Sequence, residues 1–304
     1  MKHVFIINPM AGPEDSHSLV EKEVEKLNID YLIHITTAPK EATSFVRNYI
    51  KEHQGEETRF YACGGDGTIN EVASGLVGAD LSKFSMTNYP IGSGNDYIKI
   101  FGGMNVFTDL SKLVNASTRP VDIMEVNDGL GYSINVINFG FDCNVLKVME
   151  KIKRNKNTTR EKAYSTAVLR CVIGSRKNKG SVVVAGEELV DKAFCLCSIA
   201  NGQYYGSQYK TAPRSVCDDG LLDICIIRPV SILTLLSVIT KYKEGKHLDD
   251  KKVSKLLKYR QTDSEIIIRG PEGFCVGLDG ELYFGTEFKV RNIKHAISFA
   301  VPNE

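Results

Sequence analysis

The first 76 residues alternate short apolar runs with segments of helical periodicity. The apolar runs predict strands over 3–7, 31–35 and 59–63, and the periodic segments predict helices over 16–27, 40–52 and 69–76. Strands that alternate with helices form a parallel sheet covered by helices on both faces. Ligands of such sheets bind beyond the carboxyl ends of the strands, and 8–12, 36–37 and 64–68 all fall at that edge. We therefore expect an α/β ligand-binding domain at the start of the chain.

The pattern changes near residue 120. Strand-like runs separated by Gly, Asn and Asp now predict an antiparallel sheet or sandwich. These runs are 133–139, 180–184, 193–200, 222–227, 265–269, 274–278 and 288–290, with helical regions over 144–175 and 231–242. A last apolar run, 296–301, predicts a strand whose partner the pattern does not assign. A chain of 304 residues is long enough for two domains, which we predict over 1–121 and 122–290.

Composition excludes several classes of protein. Hydrophobic residues make up 42% and charged residues 25% of the chain, as in globular proteins, and a net charge of +1 gives no sign of a nucleic-acid partner. The eight cysteines form no CxxC pair, so we interpret them as buried free thiols of a reducing cytoplasm. Four apolar residues before Asn8 are too few for a signal peptide, and the apolar segment 230–240 is about half the length that crosses a bilayer.

The segment 64–68, GGDGT, is dense in glycine between a predicted strand and a predicted helix. Glycines there let the backbone approach a ligand closely, and the helix that follows offers unpaired N–H groups to an anion. The segment matches neither common nucleotide fingerprint, and a tight turn in which Asp66 caps the helix is the alternative. An acid inside a phosphate loop repels phosphate unless a cation lies between them. The implied ligand is therefore a magnesium–nucleotide complex.

Five segments resemble the diacylglycerol kinase catalytic-domain family, in particular its bacterial soluble lipid kinases. In chain order they are NPMAG at 8–12, GGDGTINEV at 64–72, PIGSGND at 90–96, AP at 212–213 with DDGLLD at 218–223, and LDGE at 278–281. The resemblance covers essentially the whole chain. It implies an N-terminal α/β nucleotide-binding domain of the NAD kinase/diacylglycerol kinase type and a C-terminal β-sandwich that takes the lipid. It also implies that 291–304 returns to complete the first domain.

The resemblance implies nucleotide contacts at fourteen positions. They are Asn8, Pro9, Met10, Ala11, Gly12, Thr36, Gly64, Gly65, Asp66, Gly67, Thr68, Ile69, Asn70 and Ser93. The family usually has threonine where this chain has Ser93, and serine keeps the hydroxyl group. ATP is the implied nucleotide.

Two magnesium sites are implied in the same way. Asp66, Asp96 and Asp122 resemble acids that act on magnesium partly through water, and Asp219 with the carbonyls of Val216 and Leu221 resembles a second, structural site. Any one of these acids alone also suits a cap or an ordinary turn.

Asp279 and Glu281 lie in the segment that resembles the family's D-G-E, which supplies the base that takes the proton of the acceptor alcohol. Which of the two carboxylates takes the proton stays open. Without the resemblance, a surface turn is the better interpretation.

The implied function is an ATP- and magnesium-dependent kinase of a lipid hydroxyl, with diacylglycerol as the first candidate acceptor and phosphatidic acid as its product. Two rivals are an NAD kinase-like phosphotransferase with a soluble acceptor and a catalytically silent nucleotide-sensing module.

Residues 147–179 hold eleven basic residues and two acids, which suits either a solvated helix face or an anionic bilayer. We expect a cytoplasmic protein, peripheral to the inner face of the membrane, and the sequence leaves open whether it is a homodimer.

Overall fold

A computed structural model of the chain describes residues 1–12, 15–153, 160–190 and 192–303. Its strands are β1 Lys2–Ile7, β2 Tyr31–Ile35, β3 Thr58–Gly64, β4 Phe84–Pro90, β5 Ser117–Val126, β6 Gly131–Ser133, β7 Val136–Gly140, β8 Asn178–Lys179, β9 Ser181–Val184, β10 Glu187–Val190, β11 Ala193–Phe194, β12 Leu196–Ala200, β13 Leu222–Ile227, β14 Leu257–Thr262, β15 Ile266–Arg269, β16 Cys275–Leu278, β17 Glu281–Phe284 and β18 Glu287–Val301. Its α-helices are α1 Ser16–Glu25, α2 Glu41–Glu52, α3 Asp66–Leu76, α4 Met104–Phe107, α5 Leu110–Val114, α6 Phe141–Lys153, α7 Arg160–Gly174 and α8 Ile232–Lys243.

The first part of the chain forms the predicted parallel arrangement. Strands β2, β1, β3 and β4 lie side by side in that order, all parallel. Strand β4 is absent from the prediction because its sequence is rich in polar residues. Those residues are nonetheless buried and hydrogen-bonded: Asn88 Nδ2 donates to the Ala62 carbonyl at 2.6 Å, and Thr87 Oγ1 donates to the Ala300 carbonyl at 2.8 Å.

The second part is a sandwich of two sheets. One is a six-stranded antiparallel sheet in the order β14-β13-β12-β7-β16-β17, and the other comprises β10, β9, β15 and the adjoining parts of β18, β5 and β6. The strands present Ile199, Ile224, Ile266 and Val290 to one buried apolar core. The predicted run 193–200 is divided between β11 and β12, which belong to different sheets.

A single long strand joins the two parts. Strand β18 has β5 antiparallel along one side, whereas its other side pairs with β15 near Val290 and with β4 near Phe299. The register shifts between Ile293 and Ile297, where His295 has a φ of 52°. The predicted separate runs 288–290 and 296–301 are therefore one strand, and the missing partners of the last run are β5 and β4. The domain limits at 121 and 291 lie inside β5 and β18 and stay a prediction.

Helices α6, α7 and α8 cover the outer face of the six-stranded sheet. Their apolar residues pack with Cys195, Leu196 and Cys225 of that sheet in a separate cluster. The predicted helical region 144–175 comprises most of α6 and α7, with 154–159 between them outside the described residues. All eight cysteines are buried and free, as predicted. None of the helices in the described part of the chain combines the length and the apolar character needed to cross a membrane.

Candidate active site

The predicted nucleotide segments meet at the carboxyl edge of the parallel sheet. Asn8 follows β1, and its Nδ2 donates to Thr68 Oγ1 in α3 at 3.2 Å. The N–H of Thr36, which follows β2, donates to the Ile7 carbonyl at 2.9 Å. Gly92 follows β4, and its N–H donates to the Gly64 carbonyl at 3.2 Å. Four strand ends thus bring the segments near 8, 36, 64 and 92 together, because neighbouring parallel strands end at one edge.

The glycines of this edge are required by close packing. A Cβ on Gly64 would lie 2.1 Å from Thr68 Oγ1, and a Cβ on Gly92 would lie 2.4 Å from Gly65 Cα. Helix α3 begins directly after Gly65 and has no side-chain cap. The N-terminal end of α3 is therefore a place where backbone N–H groups and the helix dipole favour an anion.

Asp66 does not cap α3, and its carboxylate turns towards the loop after β4. Asp66 Oδ1 accepts from the N–H groups of Asp96 at 2.5 Å and Tyr97 at 3.1 Å. Asp96 in turn accepts from Lys99 Nζ at 2.5 Å and from the Ser207 N–H at 2.9 Å. Burial first, and the Asp96 charge second, raise the pKa of Asp66 to about 6. Asp66 and Asp96 therefore lie side by side in a partly buried position, and their predicted action on magnesium stays a prediction.

This acid pair suits a magnesium ion. A Cβ on Gly94 would lie 2.7 Å from Asp66 Oδ2 and 3.6 Å from Asp96 Oδ2, so both carboxylates lie near this glycine. Within the described residues, no three His, Cys, Asp or Glu side chains gather around a metal position. Magnesium is commonly held by one or two carboxylates together with water and the phosphates of a nucleotide, and a magnesium ion at Asp66 and Asp96 stays a prediction.

Asp122 lies at a different place from the Asp66–Asp96 pair. Its side chain is fully buried and accepts from the Gly220 N–H at 2.8 Å, from Asn292 Nδ2 at 2.9 Å and from the His295 N–H at 2.7 Å. These hydrogen bonds hold the turn at 218–221 against the part of β18 where its register with β5 shifts. The predicted action of Asp122 on the same magnesium ion stays a prediction.

The turn proposed for a structural magnesium ion already has a cation beside it. Lys294 Nζ lies 3.3 Å from the Asp219 carbonyl oxygen, and Asp219 Oδ1 accepts from the Leu221 N–H at 2.8 Å. Val216 is exposed at the edge of this turn. Lys294 therefore places its ammonium group beside the turn that is predicted to hold a metal, and the second magnesium site stays a prediction.

Asp279 and Glu281 differ strongly in their surroundings. Asp279 has a φ of 46°, and its carboxylate accepts from the N–H groups of Ile134, Asn135 and Val136 at 2.8, 3.3 and 2.8 Å. Burial raises the pKa of Asp279 to about 7, against the lowering effect of these bonds. Glu281 begins β17 and is half-buried, and among the described residues no hydrogen bond to its carboxylate is present.

The glycine segment and the D-G-E segment are linked through one backbone group. The Ile134 N–H donates to Asp279 Oδ2 and also to Asn70 Oδ1, at 3.2 Å. Asn70 Nδ2 donates to the Tyr132 carbonyl at 3.0 Å, so the end of GGDGTIN contacts the start of the sandwich. Glu71, the next residue, binds the N–H groups of Lys40 and Ala42. Burial raises the pKa of Glu71, and the nearby Glu281 charge adds to that effect.

A cavity that sequence reasoning missed lies between α6, α7 and α8. We call it the helix cavity, and the space in it that is open to the centre of a water-sized sphere is about 60 Å³. Its walls are mostly apolar and include Phe141, Val145, Tyr164, Val168, Leu235 and Ile239. These residues come from three helices spread over about a hundred positions, so no local motif announces the cavity. Only the apolar faces of the predicted helices, taken together, could have suggested it.

One turn connects the helix cavity with the acid pair. Tyr205, Gly206 and Tyr209 line the cavity, and Ser207 of the same turn donates its N–H to Asp96. The Ser207 carbonyl accepts from Lys99 Nζ at 2.7 Å, which holds the turn from the other side. The turn at 205–209 therefore lines the helix cavity and also contacts Asp96 of the Asp66–Asp96 pair.

Comparison with known families agrees with this geometry. Residues 2–126 match the diacylglycerol kinase catalytic domain, and residues 135–297 match the YegS C-terminal NAD kinase beta sandwich-like domain. The chain belongs to the diacylglycerol kinase catalytic-domain family. The predicted fold class, an α/β domain followed by a β-sandwich, is confirmed, and so is the predicted resemblance.

Relatives match along nearly the whole chain. A diacylglycerol kinase of Bacillus subtilis (strain 168) is 25% identical and aligns with 100% of this chain and 98% of its own length. A Shewanella frigidimarina protein named "Probable lipid kinase YegS-like" is 24% identical over 85% of this chain and 80% of its own. A diacylglycerol kinase structure from Bacillus anthracis str. Sterne has a TM-score of 0.69 at 19% identity, covering 99% of this chain and 97% of that chain, and shows the fold alone. This is a family of lipid kinases.

Proposed function

We propose that this chain is an ATP- and magnesium-dependent kinase that phosphorylates a hydroxyl group of a lipid, with diacylglycerol as the first acceptor to test. The observation that carries the proposal is the connection between the Asp66–Asp96 pair and the apolar helix cavity through the turn at 205–209. A nucleotide site beside an apolar cavity suits an acceptor that combines a hydroxyl group with hydrocarbon chains.

The nucleotide half of the proposal is supported by the carboxyl edge of the parallel sheet. The N-terminal end of α3 favours the phosphates of ATP. Asp66, with Asp96 beside it, would hold the magnesium ion that neutralises charge on those phosphates. Phosphoryl transfer depends mainly on positioning and charge neutralisation, and both are available here.

The acceptor half explains why a soluble acceptor of the NAD kinase type is the weaker alternative. The helix cavity is lined mainly by apolar side chains, with tyrosines, Thr211 and Asp142 as its residues that carry polar groups. A dinucleotide would bury charged phosphates against these apolar walls, at a high cost in free energy. An acyl chain buries no charge there and gains free energy from leaving water.

We assign the base to Glu281 rather than Asp279. Both oxygens of Asp279 already accept backbone N–H groups, so this residue orders the segment 134–136. The carboxylate of Glu281 is half-buried at the same turn and has none of these bonds. Glu281 would take the proton of the acceptor hydroxyl as its oxygen bonds to the γ-phosphorus. The bond from that phosphorus to the bridging oxygen breaks, and ADP leaves.

The test is phosphate transfer from labelled ATP with magnesium to a panel of lipids in mixed micelles. Glu281→Gln is expected to lower kcat by about 10²–10⁴-fold, the usual contribution of a general base, while ATP binding and the thermal midpoint stay unchanged. Asp279→Asn is expected to lower the thermal midpoint of unfolding in addition to kcat. Its side-chain amide cannot accept hydrogen bonds from all three backbone N–H groups. Glu188→Gln is the control, because it makes the same Glu-to-Gln change at an exposed position of β10.

Three results would contradict the proposal in different ways. Label on a dinucleotide and on no lipid would support the NAD kinase-like alternative. Binding of ATP without transfer to any acceptor would support a nucleotide-sensing module. Full activity of Glu281→Gln with an inactive but folded Asp279→Asn would move the base to Asp279.

A further inference from the structure

Two cysteines meet near the edge of the six-stranded sheet, outside the site described above. Cys143 lies in the first turn of α6, and Cys275 begins β16. Helix α6 runs along β16: a Cβ on Gly277 would lie 3.4 Å from Cys143 Sγ, and Lys147 Nζ donates to the Gly273 carbonyl at 3.0 Å. Because Cys275 is halfway between these two glycines in the strand, its side chain lies between Cys143 and Lys147.

The two thiols are within hydrogen-bond reach of each other. Cys143 Sγ also lies 3.1 Å from the Asn138 carbonyl oxygen, so the Cys143 proton has two acceptors. Both side chains belong to the buried core of the sandwich, where Cys143 is 1% and Cys275 is 2% exposed. A disulfide between these two sulfurs therefore needs no rearrangement of the strands or of α6 to bring them together.

Cys275 is the more acidic of the two thiols. The hydrogen bond from Cys143 first, and the Lys147 ammonium group after it, lower the pKa of Cys275 to about 7, against the effects of burial and of the Glu150 charge. Burial raises the pKa of Cys143, and it raises that of Cys195 in the same sheet to about 12. The thiolate is the form of cysteine that oxidants attack, so Cys275 is the reactive member of the pair at neutral pH.

Side chains at the surface lie over Cys275. Lys147 Nζ is 5.4 Å from the centre of the Phe284 ring. Phe284 is the cross-strand partner of Cys275 in the edge strand β17 and is 62% exposed. Side chains at a protein surface change rotamer within picoseconds to nanoseconds. A molecule as small as hydrogen peroxide therefore reaches Cys275 when Lys147 swings away, without unfolding of β16.

We propose that Cys143 and Cys275 are a peroxide-sensitive thiol pair, in which oxidation joins α6 to β16 through a disulfide. The Cys275 thiolate attacks one oxygen of hydrogen peroxide: an S–O bond forms, the O–O bond breaks, and the hydroxide that leaves takes up a proton to become water. Cys143 sulfur then attacks the resulting sulfenic acid: the S–S bond forms, the S–O bond breaks, and the Cys143 proton leaves with that oxygen as a second water. The sulfurs together lose two electrons, which reduce the peroxide.

The disulfide would connect two parts of the proposed active site. Asp142 and Val145, on either side of Cys143 in the sequence, line the helix cavity. Strand β16 ends at Leu278, directly before the turn that leads to Glu281. Oxidation would therefore restrain a wall of the cavity relative to that turn. The thiol pair itself is inferred from sulfur chemistry and geometry, and not from the kinase assignment.

The test exposes the full-length protein to hydrogen peroxide at pH 7 and counts the remaining thiols by alkylation and mass spectrometry. The wild type is expected to lose two of its eight thiols, and peptide mapping without a reductant is expected to find Cys143 joined to Cys275. Dithiothreitol is expected to restore both thiols. Cys143→Ser cannot form the bridge, so its oxidation is expected to stop at a sulfenic acid, which dimedone traps on Cys275.

Lys147→Met leaves both thiols in place and removes the positive charge beside Cys275. Its oxidation is expected to be about fivefold slower at pH 7, which is what a rise in the pKa of Cys275 from about 7 to about 8 does to its thiolate fraction. Lys151→Met is the matched control, because Lys151 is an exposed lysine one turn further along α6. The control is expected to be oxidised at the wild-type rate.

Several results would overturn the proposal. One is a wild type that keeps all eight thiols while glutathione in the same solution is oxidised. Others are a disulfide between different cysteines, a disulfide between two copies of the chain, and equal rates of oxidation for Lys147→Met and the wild type. None of these readouts uses kinase activity, so the thiol pair can fail while the proposed function stands, and the reverse.

Discussion

Asp142 is a carboxyl group at the start of α6 in a mostly apolar cavity. The positive end of the helix dipole favours its ionised form, whereas burial disfavours it. Burial is the stronger effect and raises the pKa of Asp142 to about 6. Among the described residues, no hydrogen bond to this carboxylate is present. The ionised form is therefore a cost to the folded state near neutral pH.

We expect Asp142→Asn to stabilise the protein above pH 6 and to change little at pH 4.5. The folded protein keeps the Asp142 proton up to about pH 6, whereas the unfolded chain loses it near the ordinary pKa of about 4. Unfolding therefore becomes easier as pH rises from about 4 to 6, and the neutral amide removes that loss. At pH 8 the free energy of unfolding is expected to rise by about 1–3 kcal/mol, measured by urea titration.

The exposed Asp263→Asn is the control for this change, with an expected effect below about 0.5 kcal/mol at either pH. An equal gain for Asp142→Asn at pH 4.5 and pH 8 would show that shape, and not ionisation, stabilises the variant.

At the scale of elements, the junction between β3 and α3 depends on two glycines in different ways. Gly64 ends the strand with no room for a Cβ, because Thr68 Oγ1 would lie 2.1 Å from it. Gly67 is in the first turn of α3 and has nothing within 4 Å of a Cβ. The dense glycines of 64–68 are therefore not interchangeable: Gly64 is required by packing, whereas Gly67 has room for a side chain.

We expect Gly64→Ala to lower the free energy of unfolding by about 2–4 kcal/mol, because Thr68 must move and lose its bond from Asn8. Gly67→Ala, the matched control, is expected to raise the free energy by about 0.5–1 kcal/mol through helix propensity. Denaturant titrations of both variants check this. Equal stability of the two variants would contradict the crowding at Gly64.

Much of the first domain was predictable at this scale because its signals are local. Strands β1, β2 and β3 are apolar runs, and α1 and α2 show helical periodicity. Each of these elements can therefore be predicted from residues that are close in sequence. Strand β4 is not predicted from the sequence, because its buried polar side chains donate hydrogen bonds to the carbonyl groups of Ala62 and Ala300, which lie far away along the chain. The glycine segment and the acids of 64–96 were identified by motif, whereas the helix cavity draws single residues from separate helices and has no local signature.

At the scale of the whole molecule, β18 makes the two parts of the protein share one strand. Phe299 packs against Tyr97, Phe101 and Phe107 with ring centroids 5.4–6.2 Å apart, in the core of the first part. Phe288, eleven positions earlier in the same strand, is buried in the sandwich core. The periodicity of 288–301 predicted two short strands because the register shift at His295 interrupts the apolar pattern.

We expect one cooperative unfolding transition that both Phe299→Ala and Phe288→Ala shift. Each change removes a buried aromatic ring and is expected to cost about 3–5 kcal/mol. Because the strand is continuous, loss of one core weakens the pairing that supports the other. Differential scanning calorimetry checks this, and two transitions, each moved by only one variant, would contradict it.

The shared strand also has a consequence for biosynthesis. On the ribosome, β1 to β4 emerge early, but the edge of β4 that pairs with β18 has no partner until residues 287–301 are made. Until then the nascent chain carries an open sheet edge, and such edges readily pair with other chains. The first part of the protein therefore cannot complete its sheet before the second part has been synthesised.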